Sequence, residues 1–480
     1  MTAGRVPSPG EAEGLSEQLG RDLHELARAP LPAATAGAAK DRLLHVIGIT
    51  LASSGLPAPA AAWQAVRADA GPCTVIGRPG RLSPAAAAFA NAVAAHSSLL
   101  EDCGPGGLSE GSHPGTYVPA AALAAAEQAG ASGADLLAAI VVGYEAVGVL
   151  GAVAPISIVA RRFRPLGVLG PIGAAAAAAA LYGCDAGQFA AAISIAANTA
   201  AGYGQGFVSG STEPYLHAGF AARNGLLAAG LAASGCVAAP DSLDGPYGFF
   251  QTYGGEGGRA RPVQTRPAVA RLGTKMFAAC LQNQETLTLI QARLPVPLSP
   301  AAIRRVTLFR PATPNNGIAS PGVAQSPPYT TMLQRQMSAR FTAAAALLGR
   351  PVQDARYFEA AGDDDEVAGL AAAIELCGTD DPVVRIEVEL RDGTRFTATG
   401  DMSQVLYPTS SEITQRFRDR AESVLGPATQ EVVGMIAQLE RLPAAATLLD
   451  ALRPREAEPD LDAAAHVNAT MSLDATEAVR

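Results

Sequence analysis

Apolar and polar positions follow two regimes along this chain. From Leu82 to Leu100 there is no charged residue, and apolar side chains lie on every side of a helical projection. That pattern predicts a buried helix. Over Thr35–Ser54, Leu43, Leu44, Ile47 and Leu51 recur at helical spacing, with Lys40, Asp41 and Arg42 expected to face out. Further helices are expected over Leu19–Ala29, through Trp63 and Val66, and over Pro119–Gln128, Ala134–Leu150, Asp185–Ala201 and Leu216–Ala233. Pro119 sits where a first turn tolerates proline. Asp135 sits where the helix dipole favours a carboxylate. Arg161, Arg162 and Arg164 precede one more uncharged, small-residue helix.

The pattern changes after Pro240. Residues 241–268 are rich in glycine, proline and polar groups and read as a long connection. Ile303–Phe309, Pro382–Leu390 and Arg395–Thr399 read as strands, with Asp392-Gly393 as the hairpin turn between the last two. Thr330–Leu348 reads as a helix, and Glu412–Leu442 returns to helix. The expected architecture is a large all-helical domain over 19–270 and a smaller α+β domain over 271–405. Helices at 406–445 return to the first domain, and tails are expected at 1–18 and 446–480.

Composition narrows the functional classes. The chain of 480 residues is 49% hydrophobic but only 5% aromatic, so its helices are expected to pack closely through alanine and glycine. A net charge of −9 with no basic face argues against a nucleic-acid partner. Six dispersed cysteines show neither metal-ligand spacing nor a disulfide framework, which fits a reducing cytoplasm. The first residues carry no secretory signal. The uncharged windows Pro165–Cys184 and Ala186–Thr212 are long enough for a bilayer, but their Ala/Gly content and Asn198, Tyr203 and Gln205 favour buried helices of a soluble protein. No membrane partner is expected.

Candidate chemistry gathers in His96–Gly115, HSSLLEDCGPGGLSEGSHPG, where Glu101, Asp102, Cys103, Glu110 and His113 emerge from the buried helix into a glycine-rich loop. His113 is the first candidate for acid/base work, since an imidazole exchanges protons near neutral pH. The alternative is a structural histidine satisfied by a backbone carbonyl. Cys103 could be acid, base or nucleophile, although the adjacent acids oppose a thiolate and favour a packing role. Asp102 could orient His113, accept a proton or simply end a helix. GYGQG at 202–206 lacks the spacing, preceding strand and later acid of a dinucleotide loop.

An ordered set of segments resembles a known family. AAHSSLLEDC is followed by SHPGTYVPAAALAAAE, then GYE at 143–145, RFRPLGVLGPIGAAAAAA, LHAGFAARNGLLAAGLAASG and SPPYTTMLQRQMSARFTAAAALLGR. Together they are similar to methylcitrate dehydratase and cis-aconitate decarboxylase, the MmgE/PrpD group, over roughly residues 20–440. The resemblance implies a helical domain joined to an α+β lid, an active site in the cleft between them, a homodimer and no cofactor. It places the family histidine at His113, the acidic pair at Glu101 and Asp102, and a threonine position at Cys103. The family's upstream aspartate falls on Leu99, a histidine on Arg164 and a lysine on Pro214. The lid lysine corresponds to Lys275.

These substitutions imply a changed substrate, because Leu99 carries no proton and Arg164 suits a carboxylate clamp better than a proton shuttle. Glu213 could bind an amino group, act as base or pair with Arg164. Tyr203, Tyr215 and His217 are further substrate-side candidates. The expected function is a cofactor-independent lyase or isomerase moving a proton on a small carboxylated metabolite. The alternative is a non-catalytic descendant that binds a metabolite or a protein.

Overall fold

The computed structural model describes residues 14–104, 112–152, 155–254, 267–312, 318–400 and 406–454. The expected tails, apart from 14–18 and 446–454, lie outside the described residues, as do Glu110 and residues 255–266 of the long connection.

Small residues set the helical body. Helices Gly133–Gly151 and Pro165–Leu181 approach so closely that a Cβ on Gly143 would lie 2.8 Å from the Gly173 carbonyl oxygen, and one on Gly173 would lie 2.3 Å from Val147 Cγ2. Glu213–Ala233 packs across Pro165–Leu181 and Pro84–Ser97, and Ala186–Ala197 closes the other side. Gly133–Gly151 is long and apolar enough to cross a bilayer, yet most of it is buried against its neighbours. Pro165–Leu181 and Ala186–Ala197 are shorter apolar helices. The Leu82–Leu100 expectation is met by Pro84–Ser97, in which every residue from Ala86 onward is buried.

Ala33–Ser53 forms as expected, with one correction. Arg42 does not face out. It is buried, and its guanidinium donates to the carbonyls of Val269 and Leu272. A guanidinium can sit on a core-facing position because its N–H fork finds backbone acceptors there. Helix Ser410–Leu425 packs on Ala33–Ser53, with Phe417 against Gly48.

A small mixed sheet accompanies this predominantly helical body. Its strands run in the spatial order Glu375–Thr379, Ile303–Pro311, Val384–Leu390, Arg395–Gly400. The first pair is parallel and the other two are antiparallel. The Asp392-Gly393 turn forms, with Gly393 at φ +90°. The parallel strand Glu375–Thr379 was not expected, because ELCGT has no apolar alternation to announce it. Thr330–Leu348 is not one helix. It breaks at Ser338, which leaves helical geometry and caps Ala339–Leu347 by accepting from the Phe341 amide.

Two large apolar cores result among the described residues, beside a small cluster of Cys103, Leu281 and Leu406. One lies within the helical body. The other underlies the sheet and its helices, and it draws in Ile49, Phe89, Val93, Leu99, Leu100 and Tyr215 from the body. The stretch around Glu101 runs along the seam between them.

Candidate active site

The seam is tied by backbone. Helix Pro84–Ser97 delivers His96 in its last turn, and Leu99 then turns the chain with φ 52°. Asp102–Cys103 pairs antiparallel with Gly273–Thr274, and the Lys275 amide donates to the Glu101 carbonyl at 3.3 Å. The chain re-enters at His113, which holds φ 49° before the turn Pro114–Thr116. Two non-glycine residues in the left-handed region thus flank the acidic pair, at a cost the surrounding packing must cover.

Glu101 is the centre of the cluster and is fully buried. Its Oε1 lies 2.5 Å from Lys275 Nζ and 3.6 Å from His113 Nδ1. Its Oε2 lies 3.6 Å from His96 Nδ1. Burial alone would raise the Glu101 pKa, but the Lys275 ammonium and the two imidazoles outweigh it and hold the carboxyl well below its usual range. Glu101 is therefore ionised.

The histidine tautomers follow from their partners. His113 Nδ1 is 2.7 Å from the Asp102 carbonyl oxygen, which can only accept, so Nδ1 carries the proton. This leaves Nε2 as the basic atom. His96 Nε2 is 2.7 Å from Arg164 Nη2, which can only donate, so His96 is neutral with its proton on Nδ1, toward Glu101. Burial and Arg164 lower the His96 pKa to about 4, and burial and Lys275 hold His113 well below the ordinary value.

Arg164 lies just ahead of helix Pro165–Leu181, its backbone N–H donating a hydrogen bond to the Gly202 carbonyl at 3.0 Å. Its Nη1 donates to the Pro214 carbonyl at 2.7 Å, and its guanidinium stacks on Phe207 at 4.5 Å. Burial lowers its pKa to about 10, so it stays charged near neutrality. Behind His96, Tyr215 donates to Gln336 Oε1 at 2.6 Å, and Gln336 Nε2 donates to the Ser98 carbonyl at 3.1 Å. His217 packs against Gly202, whose φ of +103° and lack of a side chain leave room for the imidazole.

Other candidates take different places. The Asp102 carboxylate accepts from Tyr144 Oη at 2.7 Å and the Gly115 amide at 2.9 Å. Any orientation it gives His113 comes from its main-chain carbonyl. Cys103 is fully buried in the strand pair, and desolvation drives its thiol pKa far up, against a nucleophilic role and toward packing. Glu213 is half-buried at the first residue of helix Glu213–Ala233 and forms no ion pair with Arg164 among the described residues. The dipole favours a carboxylate there without a cation. Tyr203 is 63% exposed, and its backbone bridges to Phe163. A groove of about 710 Å³ on the helical body, lined by Tyr182, Leu226 and Leu227, contains none of these groups.

His96 and Gln336 were not singled out from sequence. His96 had a signal. An imidazole ending a helix with no solvent-facing side must be buried, and a buried imidazole needs partners.

The sequence model of the MmgE/PrpD N-terminal domain matches residues 17–260. The chain belongs to the MmgE/PrpD family. It is 28% identical over 438 residues to a cis-aconitate decarboxylase-like protein, oryM, of Aspergillus oryzae, covering 84% of this chain and 89% of that protein. It is 29% identical over 424 residues to human cis-aconitate decarboxylase, covering 80% and 83%. It is 27% identical over 419 residues to cis-aconitate decarboxylase of Aspergillus terreus, covering 80% and 84%. Within this MmgE/PrpD chain, the matched segment supplies Glu101, His96, His113 and Arg164, while Lys275 comes from beyond it. Among the described residues, no group of three His, Cys, Asp or Glu side chains has a metal-ligand arrangement.

Proposed function

We propose that this MmgE/PrpD chain is a lyase or isomerase that works by proton transfer on a small carboxylated metabolite, with no cofactor. One observation carries the reading. His113 has Nδ1 tied to a carbonyl and Nε2 left as base, in the same buried cluster as Lys275 and Arg164. Removing a proton beside a carboxylate requires a neutral base in reach and cations to stabilise the developing enolate-like charge. His113 Nε2 takes the proton, and the electron pair moves toward the carboxylate. Arg164 holds that carboxylate through its remaining N–H groups, and Lys275 lends positive potential. Glu101 keeps Lys275 and both imidazoles in register.

The relatives named cis-aconitate decarboxylase support a small unsaturated or substituted acid as the substrate class. The test is to incubate the chain with such acids in deuterated water and follow deuterium uptake, water loss and carbon dioxide release. At least one acid should react or exchange, and His113→Gln should slow that reaction by at least about 100-fold. Exchange unchanged by His113→Gln removes His113 as proton carrier. A folded chain inert to every acid favours the binding descendant.

A further inference from the structure

His96 stands between an anion and a cation at the seam. Its ring is buried, set edge-on to Tyr215 with centroids 6.4 Å apart and tilted toward His113 at 5.8 Å. Nε2 accepts from Arg164 Nη2 at 2.7 Å. Nδ1 faces Glu101 Oε2 at 3.6 Å, and neither of these two buried atoms has a hydrogen-bond partner among the described residues, which leaves each to the other. The second Glu101 oxygen is turned to Lys275 and His113. One carboxylate thus reaches the candidate base through Oε1, and the guanidinium through Oε2 and the His96 ring.

We infer that His96 is a positioning residue for the substrate carboxylate: it sets the orientation of Arg164 from Glu101 without placing a carboxylate on the guanidinium. The inference rests on the proposed carboxylate clamp at Arg164 and names the residue that aims it. A carboxylate bonded directly to Arg164 would hold the fork as firmly, but it would compete with the substrate for the same N–H donors. A neutral imidazole fixes one N–H and leaves the others free. Its Nδ1–H toward Glu101 makes Nε2 a better acceptor, as the carboxylate behind a metal-bound histidine does. With Nη2 on His96, Nη1 on the Pro214 carbonyl and Phe207 against the ring face, the plane of the guanidinium is defined from two edges and one face. Burial and Arg164 keep His96 neutral near pH 7, the form in which Nε2 can accept.

Calorimetry on the full chain at neutral pH, with cis-aconitate and crotonate as probes, tests this beside 15N spectra of the histidine rings. His96 should show a protonated Nδ1 and a bare Nε2. His96→Leu should weaken acid binding at least about tenfold, the worth of one hydrogen bond to a charged group. His96→Gln should recover most of that loss, because its amide can accept from Arg164 and donate to Glu101. In an Arg164→Lys background the His96→Leu loss should shrink to about threefold or less, since an ammonium has no plane to set. A general structural effect would persist there. An Nε2–H tautomer in the native chain, equal His96→Leu losses in both backgrounds, or a folded His96→Leu that binds like the native chain overturns the inference. If His96→Leu does not fold, the tautomer and His96→Gln decide, and a His96→Gln loss beyond about tenfold overturns it. Failure of the native chain to bind either probe removes the clamp, and the role of His96 with it. Binding coupled between His96 and Arg164 without deuterium exchange refutes the proton-transfer reading and leaves the positioning role standing. Exchange that His96→Leu does not slow does the reverse.

Discussion

Lys275 Nζ and Glu101 Oε1 sit 2.5 Å apart with both side chains almost wholly buried, one from each side of the seam. Such a pair gains little over an apolar replacement, but breaking it strands a charge. Glu101→Gln and Lys275→Met should each cost about 3–5 kcal/mol of unfolding free energy. The double variant should cost clearly less than the sum. Denaturant unfolding of the four proteins checks this, and additive losses would mean the two charges do not depend on each other.

Acid should destabilise the fold early. His96 and His217 have pKa values lowered to about 4 and about 3, chiefly by burial and then by Arg164, while His45 and His113 are held well below normal. Between the unfolded value near 6.5 and these folded values the unfolded chain binds more protons, so stability rises with pH and is lost as pH falls. Below about pH 6 each such histidine should remove about 1.4 kcal/mol per pH unit. His96→Gln should flatten the slope by about one proton. A pH-independent unfolding midpoint between 6.5 and 4.5 would contradict the buried, neutral assignment.

Asp102 aims His113 through its backbone. Asp102→Asn should therefore keep deuterium exchange within about tenfold of the native rate, far above His113→Gln. Its stability should fall by about 1–3 kcal/mol through weakened bonds to Tyr144 and Gly115. An exchange rate as low as that of His113→Gln would make the carboxylate itself part of the proton path.

Thiol chemistry separates the cysteines. Cys236 is exposed, whereas Cys103 is fully buried with its thiol pKa pushed far up by desolvation. A thiol reagent should modify Cys236 within minutes and Cys103 only on unfolding. Rapid modification of Cys103 in the folded chain, read by mass spectrometry, would revive it as a reactive group.

Much of this was legible in the sequence, for physical reasons that differ by element. Leu82–Leu100 announced a buried helix because it lacks any polar face, and Asp392-Gly393 announced its hairpin because few dipeptides accept that turn. His113 and Arg164 stood in marked positions of family segments. Lys275 was a weak match because its place depends on Gly273–Thr274 pairing with Asp102–Cys103, a contact no local pattern encodes. Arg42 read as exposed because its charge hid the two carbonyls waiting for it. Glu213 read as a partner for Arg164, but the Pro214 carbonyl next to it took that role.

The two-rung ladder between Asp102–Cys103 and Gly273–Thr274 also limits how the seam can part. Acid and lysine ride on adjoining rungs, so separating the halves there would break backbone bonds and strand both charges at once. Away from the ladder the two sides are joined by side-chain hydrogen bonds instead, the Tyr215–Gln336–Ser98 chain and those from Gln325, Thr331 and Gln334 to the carbonyls of Phe207, Val208, Gly210 and Ser209. Loosening of those side-chain bonds would leave the ladder in place, and with it the spacing of Glu101 and Lys275.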